Sequence, residues 1–279
     1  MTLAACFEKI KKEFKQSGIE DYQFESFCIF RSATGFDRQY VICHTGDELD
    51  FEKQFAVNEL VKRRLSGEPL QYIIGEWDFC ELTFKVGKGV LIPRPETEIL
   101  VEYADEFLKK KPNSTVFDLC AGTGAVGLTV AKHNPESRIY LFEKYSDALK
   151  YLNINAAELR LPNVSILRCD ILKDFKKYSE TPDVILSNPP YVETAELKSL
   201  QAEVQKEPVT ALDGGADGLL FYRSIYENWF NKIKNGGTVI MECGDGQSKD
   251  ILSIFKSGFK SKNVIYDFNN IDRAVQINV

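Results

Sequence analysis

A chain of 279 residues with 44% hydrophobic and 27% charged residues has the balance of an ordinary globular protein, which excludes a disordered chain and leaves room for two domains. The formal charge of −6 supplies no general basic field for a phosphate backbone, so direct nucleic-acid recognition is not expected. Seven scattered cysteines without a CxxC pair fit a reducing, cytoplasmic compartment, and with two histidines in all no metal site is expected.

In chain order, Leu3, Cys6, Phe7, Ile10 and Phe14 recur at helical spacing and predict a first helix ended by Gly18. Two further helices are predicted around Tyr22 to Arg31 and from Leu49 to Leu65, where Phe51, Phe55 and Leu65 read as part of a small helical core. Ser66 to Pro69 stop that pattern. Short β-prone runs follow at Tyr72 to Ile74, Trp77 to Phe79 and Leu82 to Val86, punctuated by Gly75, Gly87 and Gly89, and suggest a β-hairpin linker. The linker ends in Ile92, Pro93, Arg94 and Pro95, after which Glu96 and Glu98 open a helix through Tyr103 and Phe107.

Beyond Lys111, strands are predicted at Val116 to Cys120, Ile139 to Phe142, Val164 to Leu167, Val184 to Leu186 and Thr238 to Met241. They alternate with helices from Ala125, from Ser146, at Leu219 to Ile233 and at Lys249 to Phe255. Strand alternating with helix means an α/β fold, here a doubly wound, mainly parallel seven-stranded sheet. The last two runs, Asn263 to Phe268 and Ala274 to Val279, are too close for a helical crossover and should pair antiparallel. The expected organisation is a helical domain over residues 1–68, a hairpin linker over 69–93 and the sheet domain over 94–279. No stretch of roughly 18 apolar residues is present and no signal-peptide pattern opens the chain, so no membrane partner is expected.

The chemistry concentrates at strand ends. Asp118, Leu119, Cys120, Ala121, Gly122, Thr123 and Gly124 close the first strand of the sheet and open a helix, where doubly wound folds bind their ligands. Glycines let backbone approach a ligand, and the acid at the strand end suits an ammonium group better than a pyrophosphate, which favours S-adenosylmethionine over a nicotinamide dinucleotide. A glycine-rich turn of any α/β protein remains the alternative for this stretch alone. Glu143 ends the next strand, where a carboxylate can accept from both ribose hydroxyls. Asp170 ends the third, with reach to an adenine amino group, and Ile171 beside it can pack on the ring.

Asn188, Pro189, Pro190 and Tyr191 follow the fourth strand on the same edge of the sheet. Paired prolines make that loop rigid. An amide or aromatic amine is a poor nucleophile because its lone pair is delocalised, as in the peptide bond. Two acceptors, the Asn188 side-chain oxygen and the Pro189 carbonyl, can bind the two N–H hydrogens and stabilise positive charge growing on nitrogen. Tyr191 is expected to stack on the planar acceptor, and Asn188 to border the cofactor as well. The reading is methyl transfer to a planar nitrogen, which needs positioning more than a general base.

This combination resembles the HemK family of protein-(glutamine-N5) methyltransferases, and within it the peptide chain release factor glutamine methyltransferase branch. The resemblance spans nearly the whole chain: the helical N-terminal segment, Gly67 to Pro69, Ile92 to Glu98, the cofactor loop and Asn188 to Tyr191. It continues through Glu207, Pro208, Ala211, Leu212, Gly214, Gly215, Asp217 and Gly218 to Asp272, Arg273 and Val275. It implies methylation of the glutamine in the Gly-Gly-Gln loop of class I release factors, with the N-terminal domain helping to grip the factor. The family's cofactor loop falls on Cys120 to Gly124, its ribose acid on Glu143, its adenine-side residue on Ile171 and its substrate loop on Asn188 to Tyr191. Cys120 stands where the family usually has a glycine, and Glu143 where aspartate is common. Competing readings are a glutamine methyltransferase acting on a ribosomal protein, an adenine-N6 nucleic-acid methyltransferase, a non-catalytic module docking to the translation apparatus and a nicotinamide oxidoreductase. The adenine reading predicts a basic recognition region, which the sequence does not display, and the last gives no reason for Asn188 to Tyr191.

Overall fold

The Thr2 hydroxyl accepts from Ala5 N and starts α1 (Leu3–Gln16), whose buried face carries Leu3, Cys6, Ile10 and Phe14 at the predicted spacing. The computed structural model describes residues 1–279, which fall into two compact units. The first comprises Met1–Glu76 with Ala202–Lys206, and the second Trp77–Gln201 with Glu207–Val279.

In the first unit α1 is followed by α2 (Tyr22–Thr34), α3 (Arg38–Cys43), α4 (Phe51–Leu65) and α5 (Leu70–Ile74). The helix α3 was not legible from periodicity; Asp37 begins it by accepting from Tyr40 N at 2.7 Å. Two expectations are corrected here. Phe51 and Phe55 are 82% and 60% exposed and Leu65 is also exposed, because the face of α4 turned inward carries Val57, Val61 and Arg64, three and four residues apart. Arg64 is tolerated in that core because its guanidinium pairs with Glu25 on α2 and with Glu203. Tyr72 to Ile74, predicted as β, lies in α5: Gly75 at φ +84° closes the turn by donating to Gln71 O at 2.8 Å. Burial of Leu70, Tyr72 and Ile73 outweighs their β propensity.

The second unit begins with a hairpin, β1 (Glu76–Phe79) and β2 (Leu82–Lys85), whose Phe79 and Phe84 join the core beneath the sheet. Helix α6 (Glu98–Lys110) follows, then β3 (Thr115–Leu119), α7 (Ala125–His133), β4 (Arg138–Glu143), α8 (Ser146–Leu159), β5 (Val164–Arg168) and β6 (Val184–Ser187). The helical run expected over Leu219 to Ile233 is α9 (Leu220–Ser224), a π-helical stretch Ile225–Trp229 and a closing 3-10 turn. Then come β7 (Thr238–Glu242), α10 (Ser248–Ile254), β8 (Ser261–Tyr266) and β9 (Asp272–Asn278). The seven strands lie in the order β5-β4-β3-β6-β7-β9-β8, the first five mutually parallel, with β9 antiparallel to both β7 and β8.

Alternation along the strands divides the core into two layers. Val116, Ile139, Leu141, Val184, Leu186 and Ile240 pack with Leu100 and Val101 of α6, Val126 of α7 and Leu152 of α8 on one face. Phe117, Leu119, Ile185, Val239 and Met241 pack with Tyr222, Ile225, Trp229 and Ile251 on the other. Chain order reverses between β3 and β6, and the loops leaving those two strands flank the crevice where such folds bind ligands. Ser187 reinforces that junction by donating from Oγ to Leu119 O at 2.6 Å.

Candidate active site

The loop leaving β3 is pinned by backbone to the end of β4: Cys120 N and Ala121 N both donate to Phe142 O, at 3.1 and 3.0 Å. Cys120, at φ +69°, adopts a left-handed backbone that glycine would take without strain. Gly124 is required by packing, since a Cβ there would meet Leu152 Cδ1 at 2.4 Å and its φ is +83°. Asn155, fully buried on α8, clamps the loop to the hairpin by donating to Thr123 O and Lys85 O and accepting from Lys85 N.

These constraints leave a cavity of about 310 Å³, lined by Asp118, Cys120, Ala121, Gly122 and Thr123 on the β3 side and by Glu143, Asp170 and Ile171 at the ends of β4 and β5. Asn188 and Pro190 line it from the β6 side; Gly124, Pro189 and Tyr191 do not. Apolar walls come from Val90, Ile92, Phe142 and Leu220, and the segment Pro208 to Ala211 closes another side. That segment is held by Glu207, which accepts from Ile92 N at 2.9 Å and pairs with Arg94. Sequence periodicity did not mark Val90, Phe142 or Pro208 to Ala211 as site residues; the resemblance through Glu207, Pro208 and Ala211 was the available signal for the last segment.

The electrostatics are dominated by buried acids. Asp118 is 2% exposed and receives Gly127 N at 3.0 Å on Oδ2; burial pushes its carboxyl up to about 7 against that hydrogen bond, with nearby Glu143 adding to the rise. Glu143 is also raised by burial, although Tyr145 N, Gly122 N and Lys144 N donate to it at 2.8, 2.9 and 2.7 Å and favour its charge. A carboxylate offers about four acceptor positions, so Glu143 keeps capacity for a ligand hydroxyl. Asp170 accepts from Leu172 N and pairs with Lys144 at 3.1 Å. Burial likewise pushes the Cys120 thiol well up, which keeps it protonated. Acids at three consecutive strand ends, beside apolar walls, suit a ligand with positive charge, hydroxyl donors and a flat apolar ring; they would repel a pyrophosphate. The residues therefore fit S-adenosylmethionine and not a dinucleotide.

On the opposite bank, Asn188 donates from Nδ2 to Thr97 Oγ1 at 3.2 Å, which turns its carboxamide oxygen away from Thr97. Thr97 closes the 3-10 turn Pro95–Thr97 and is itself buried. Tyr191 does not line the cavity: its hydroxyl donates to Glu242 Oε1 at 3.4 Å and its carbonyl accepts from Gln247 Nε2 at 2.9 Å. The glycines downstream are explained by this loop, since a Cβ on Gly214 or Gly218 would lie 2.7 Å from Tyr191 Cα or 2.4 Å from its carbonyl oxygen.

Comparison with known proteins bears on this geometry. Residues 6–75 match the family model described as PrmC N-terminal domain, and residues 96–218 match Methyltransferase small domain. A "Release factor glutamine methyltransferase" of Thermodesulfovibrio yellowstonii is 41% identical over 254 residues, covering 86% of this chain and 90% of that protein. One of Geobacter sulfurreducens is 36% identical over 263 residues, covering 93% and 90%. Among solved structures, the hMettl16 catalytic domain in complex with MAT2A 3'UTR hairpin 6 superposes with a TM-score of 0.55 at 12% identity, over 70% of this chain and 75% of that one; the likeness is of fold. No helix is long and apolar enough to cross a membrane.

Proposed function

Because this chain belongs to the release factor glutamine methyltransferase family, we propose that it methylates the side-chain amide nitrogen of the glutamine in the Gly-Gly-Gln loop of class I peptide chain release factors. S-adenosylmethionine, the methyl donor, supplies an electrophilic methyl on a sulfonium. Asp118 offers its carboxylate to the donor's ammonium group, Glu143 to the ribose hydroxyls and Asp170 to the adenine amino group, with Ile171 against the ring and the backbone of Cys120 to Thr123 close by.

The observation that carries the reading is the orientation of Asn188. With Nδ2 committed to Thr97, the Oδ1 end is left to accept from a substrate N–H, and the Pro189 carbonyl, between the two cavity-lining residues Asn188 and Pro190, is the acceptor we assign to the second. Two acceptors on the amide hydrogens oppose lone-pair delocalisation and stabilise the charge that grows on nitrogen. Neither histidine contributes to the cavity, which suits a reaction whose methylated cation releases its proton readily. Tyr191 serves the site by holding the loop, through Glu242 and Gln247. The exposed Phe51 and Phe55 of α4 give the first unit an apolar surface for gripping the factor, and such a substrate implies a cytoplasmic enzyme.

The test is mass spectrometry of purified release factor incubated with the protein and S-adenosylmethionine. One added methyl on the glutamine of the Gly-Gly-Gln peptide is the expected result. Transfer to a ribosomal protein, or to none of the release factors despite cofactor binding, overturns the assigned substrate.

A further inference from the structure

Pro189 and Pro190 have no backbone N–H, so that stretch of the loop can be moored only through carbonyls and at its two ends. Pro189 is a proline followed by a proline and is restricted in both φ and ψ, so the stretch moves as a stiff unit. Where its acceptors point therefore depends on the moorings. At the near end Asn188 Nδ2 donates to Thr97 Oγ1 at 3.2 Å. At the far end Tyr191 O accepts from Gln247 Nε2 at 2.9 Å, and Gln247 Oε1 accepts from Gly244 N at 3.0 Å. A peptide N–H only donates, so the bond from Gly244 fixes which end of the Gln247 carboxamide faces Tyr191. Packing there is close: a Cβ on Gly244 would lie 2.9 Å from Gln247 Oε1, and one on Gly218 would lie 2.6 Å from Gln247 Nε2.

Gln247 is itself held from both sides. It lies in the turn between β7 and α10, where Gly246 takes φ +78° and Gln247 N donates to Gly244 O at 3.1 Å. Asp272, buried at the start of β9, receives Gly246 N at 2.9 Å on Oδ1 and Ser248 N at 3.2 Å on Oδ2, the two residues that flank Gln247. Neither Gln247 nor Asp272 lines the cavity. We propose that Gln247 is a positioning residue for methyl transfer: by holding Tyr191 O it sets, through the stiff Pro189–Pro190 stretch, where the Pro189 carbonyl and the adjoining Asn188 carboxamide meet the substrate amide. The inference rests on the methyltransferase reading above and assigns the reaction a residue outside the cavity, with Asp272 keeping that residue in place.

A carboxamide can accept from one neighbour while it donates to another, whereas a carboxylate only accepts. Gln247→Glu therefore keeps the bond from Gly244 N but sets a negative oxygen against the Tyr191 carbonyl, and Gln247→Met keeps the length and loses both bonds. The loop stays attached in either variant, because Val192 N still donates to Leu212 O at 2.9 Å; what is lost is position. A misplacement on the order of 1 Å costs about a hundredfold in rate when reacting groups must be aligned. The cofactor loop is anchored separately, by Phe142 O, Asn155 and Glu143, so cofactor affinity does not depend on Gln247.

The experiment measures single-turnover transfer at saturating release factor and cofactor, S-adenosylmethionine affinity by calorimetry and urea unfolding. The proteins are wild type, Gln247→Glu, Gln247→Met, Asp272→Asn and the Gln247→Glu/Asp272→Asn double variant. Each Gln247 variant should slow transfer by roughly tenfold to a hundredfold, with cofactor affinity within about threefold of wild type. Asp272→Asn, which leaves one oxygen for two N–H groups, should slow transfer by roughly threefold to tenfold. The double variant should be no slower than Gln247→Glu, because both changes act through the same mooring. Transfer within about threefold of wild type in both folded Gln247 variants overturns the proposal, as does a matching loss of cofactor affinity or a double variant in which the losses multiply. Should unfolding curves show that the Gln247 variants do not fold, Asp272→Asn decides in their place, and an unchanged transfer rate there overturns the proposal. If the wild type itself methylates no release factor, the substrate reading has failed. The proposal is then judged on the Asn188 side-chain amide signals in NMR, identified by their loss in Asn188→Ala: they must move in Gln247→Glu, and unmoved signals overturn it.

Discussion

Replacing Asn188 by alanine removes a side-chain acceptor that the cavity presents at the end of β6, and the structure allows its consequences to be separated. On the folding side, Thr97 loses the donor at 3.2 Å, so the cost in stability is that of one ordinary hydrogen bond, about 0.5–1.5 kcal/mol. On the chemical side, a preorganised group that meets charge developing in the transition state is lost, which corresponds to roughly 10²–10³ in turnover, or about 3–4 kcal/mol. The cofactor bank, made of Asp118, Glu143, Asp170 and the loop from Cys120, is untouched, so S-adenosylmethionine affinity should change by less than about threefold. Single-turnover methyl transfer to purified release factor, with cofactor affinity measured by calorimetry on the same preparation, distinguishes these terms. Turnover within about threefold of wild type refutes the reasoning, as does a loss that resides wholly in cofactor affinity.

The opposite signature is expected of Glu143→Ala. Cofactor affinity should weaken by roughly tenfold to a hundredfold, the worth of one or two charge-assisted hydrogen bonds, with turnover partly recovered at saturation; unchanged calorimetric affinity removes Glu143 from the cofactor site. Since Asp118 is raised to about 7, the free protein carries a proton there near neutral pH that a cationic ligand must displace. Affinity for S-adenosylmethionine should therefore fall as pH drops from 8 to 6, by up to about tenfold per pH unit, and a flat calorimetric profile argues against the assigned ligand orientation. Away from the site, Asp183 is buried but held below the usual carboxylate range by Lys111 and Lys234, each at 2.7 Å, together with Thr115 N. Its contribution is present above the unfolded-state value and lost as pH falls through the depressed folded value. Asp183→Asn should cost about 1.5–3 kcal/mol in urea unfolding at pH 7, and the gap should close in acid; a gap independent of pH means that packing, not charge, explains the loss.

What the sequence could disclose followed from local period and strand-end chemistry. The two-layer core was legible because Val116 and Phe117, or Ile240 and Met241, alternate faces strand by strand, and a short turn could join Asp272–Asn278 to its neighbour only in antiparallel fashion. The gathering of Asp118, Glu143 and Asp170 at one cavity was readable for the same reason: each ends a parallel strand, and parallel strands end on one edge. Where local signals met tertiary demands they failed. Leu70, Tyr72 and Ile73 have strand-like neighbours yet bury themselves in a single helical turn, and the aromatics of α4 lie off the face that carries Val57 and Val61. Thr97 was invisible as a site residue because nothing periodic links it to Asn188, 91 residues away in the chain; only the tertiary fold brings the two together.

That switch point also divides the chemistry. Every acid expected to meet the donor leaves β3, β4 or β5, on one side of the reversal, and raises the negative potential where a sulfonium and an ammonium would lie. The groups expected to meet the acceptor leave β6, on the other side, and are uncharged: a carboxamide, a peptide carbonyl and a proline face. A carboxylate in direct contact with a neutral amide would gain from removing its proton, but an amide is far too weak an acid for that to be productive before methyl transfer, and the same charge would compete for the donor's cation. Neutral acceptors avoid both problems while still stabilising the positive charge that appears on nitrogen. Two carboxylates lie near this bank: Glu242, which accepts from the Tyr191 hydroxyl and does not line the cavity, and Asp213, which lines it and accepts on Oδ1 from Thr194 Oγ1 and Gly215 N. Exchanging the two arrangements, with a charge at Asn188 and a neutral amide at Glu143, should therefore abolish transfer even though the summed number of side-chain acceptor oxygens is unchanged. Asn188→Asp and Glu143→Gln, separately and combined, make that argument measurable: retained turnover in the combined variant would mean that acceptor count alone, and not the placement of charge across the switch point, governs the reaction.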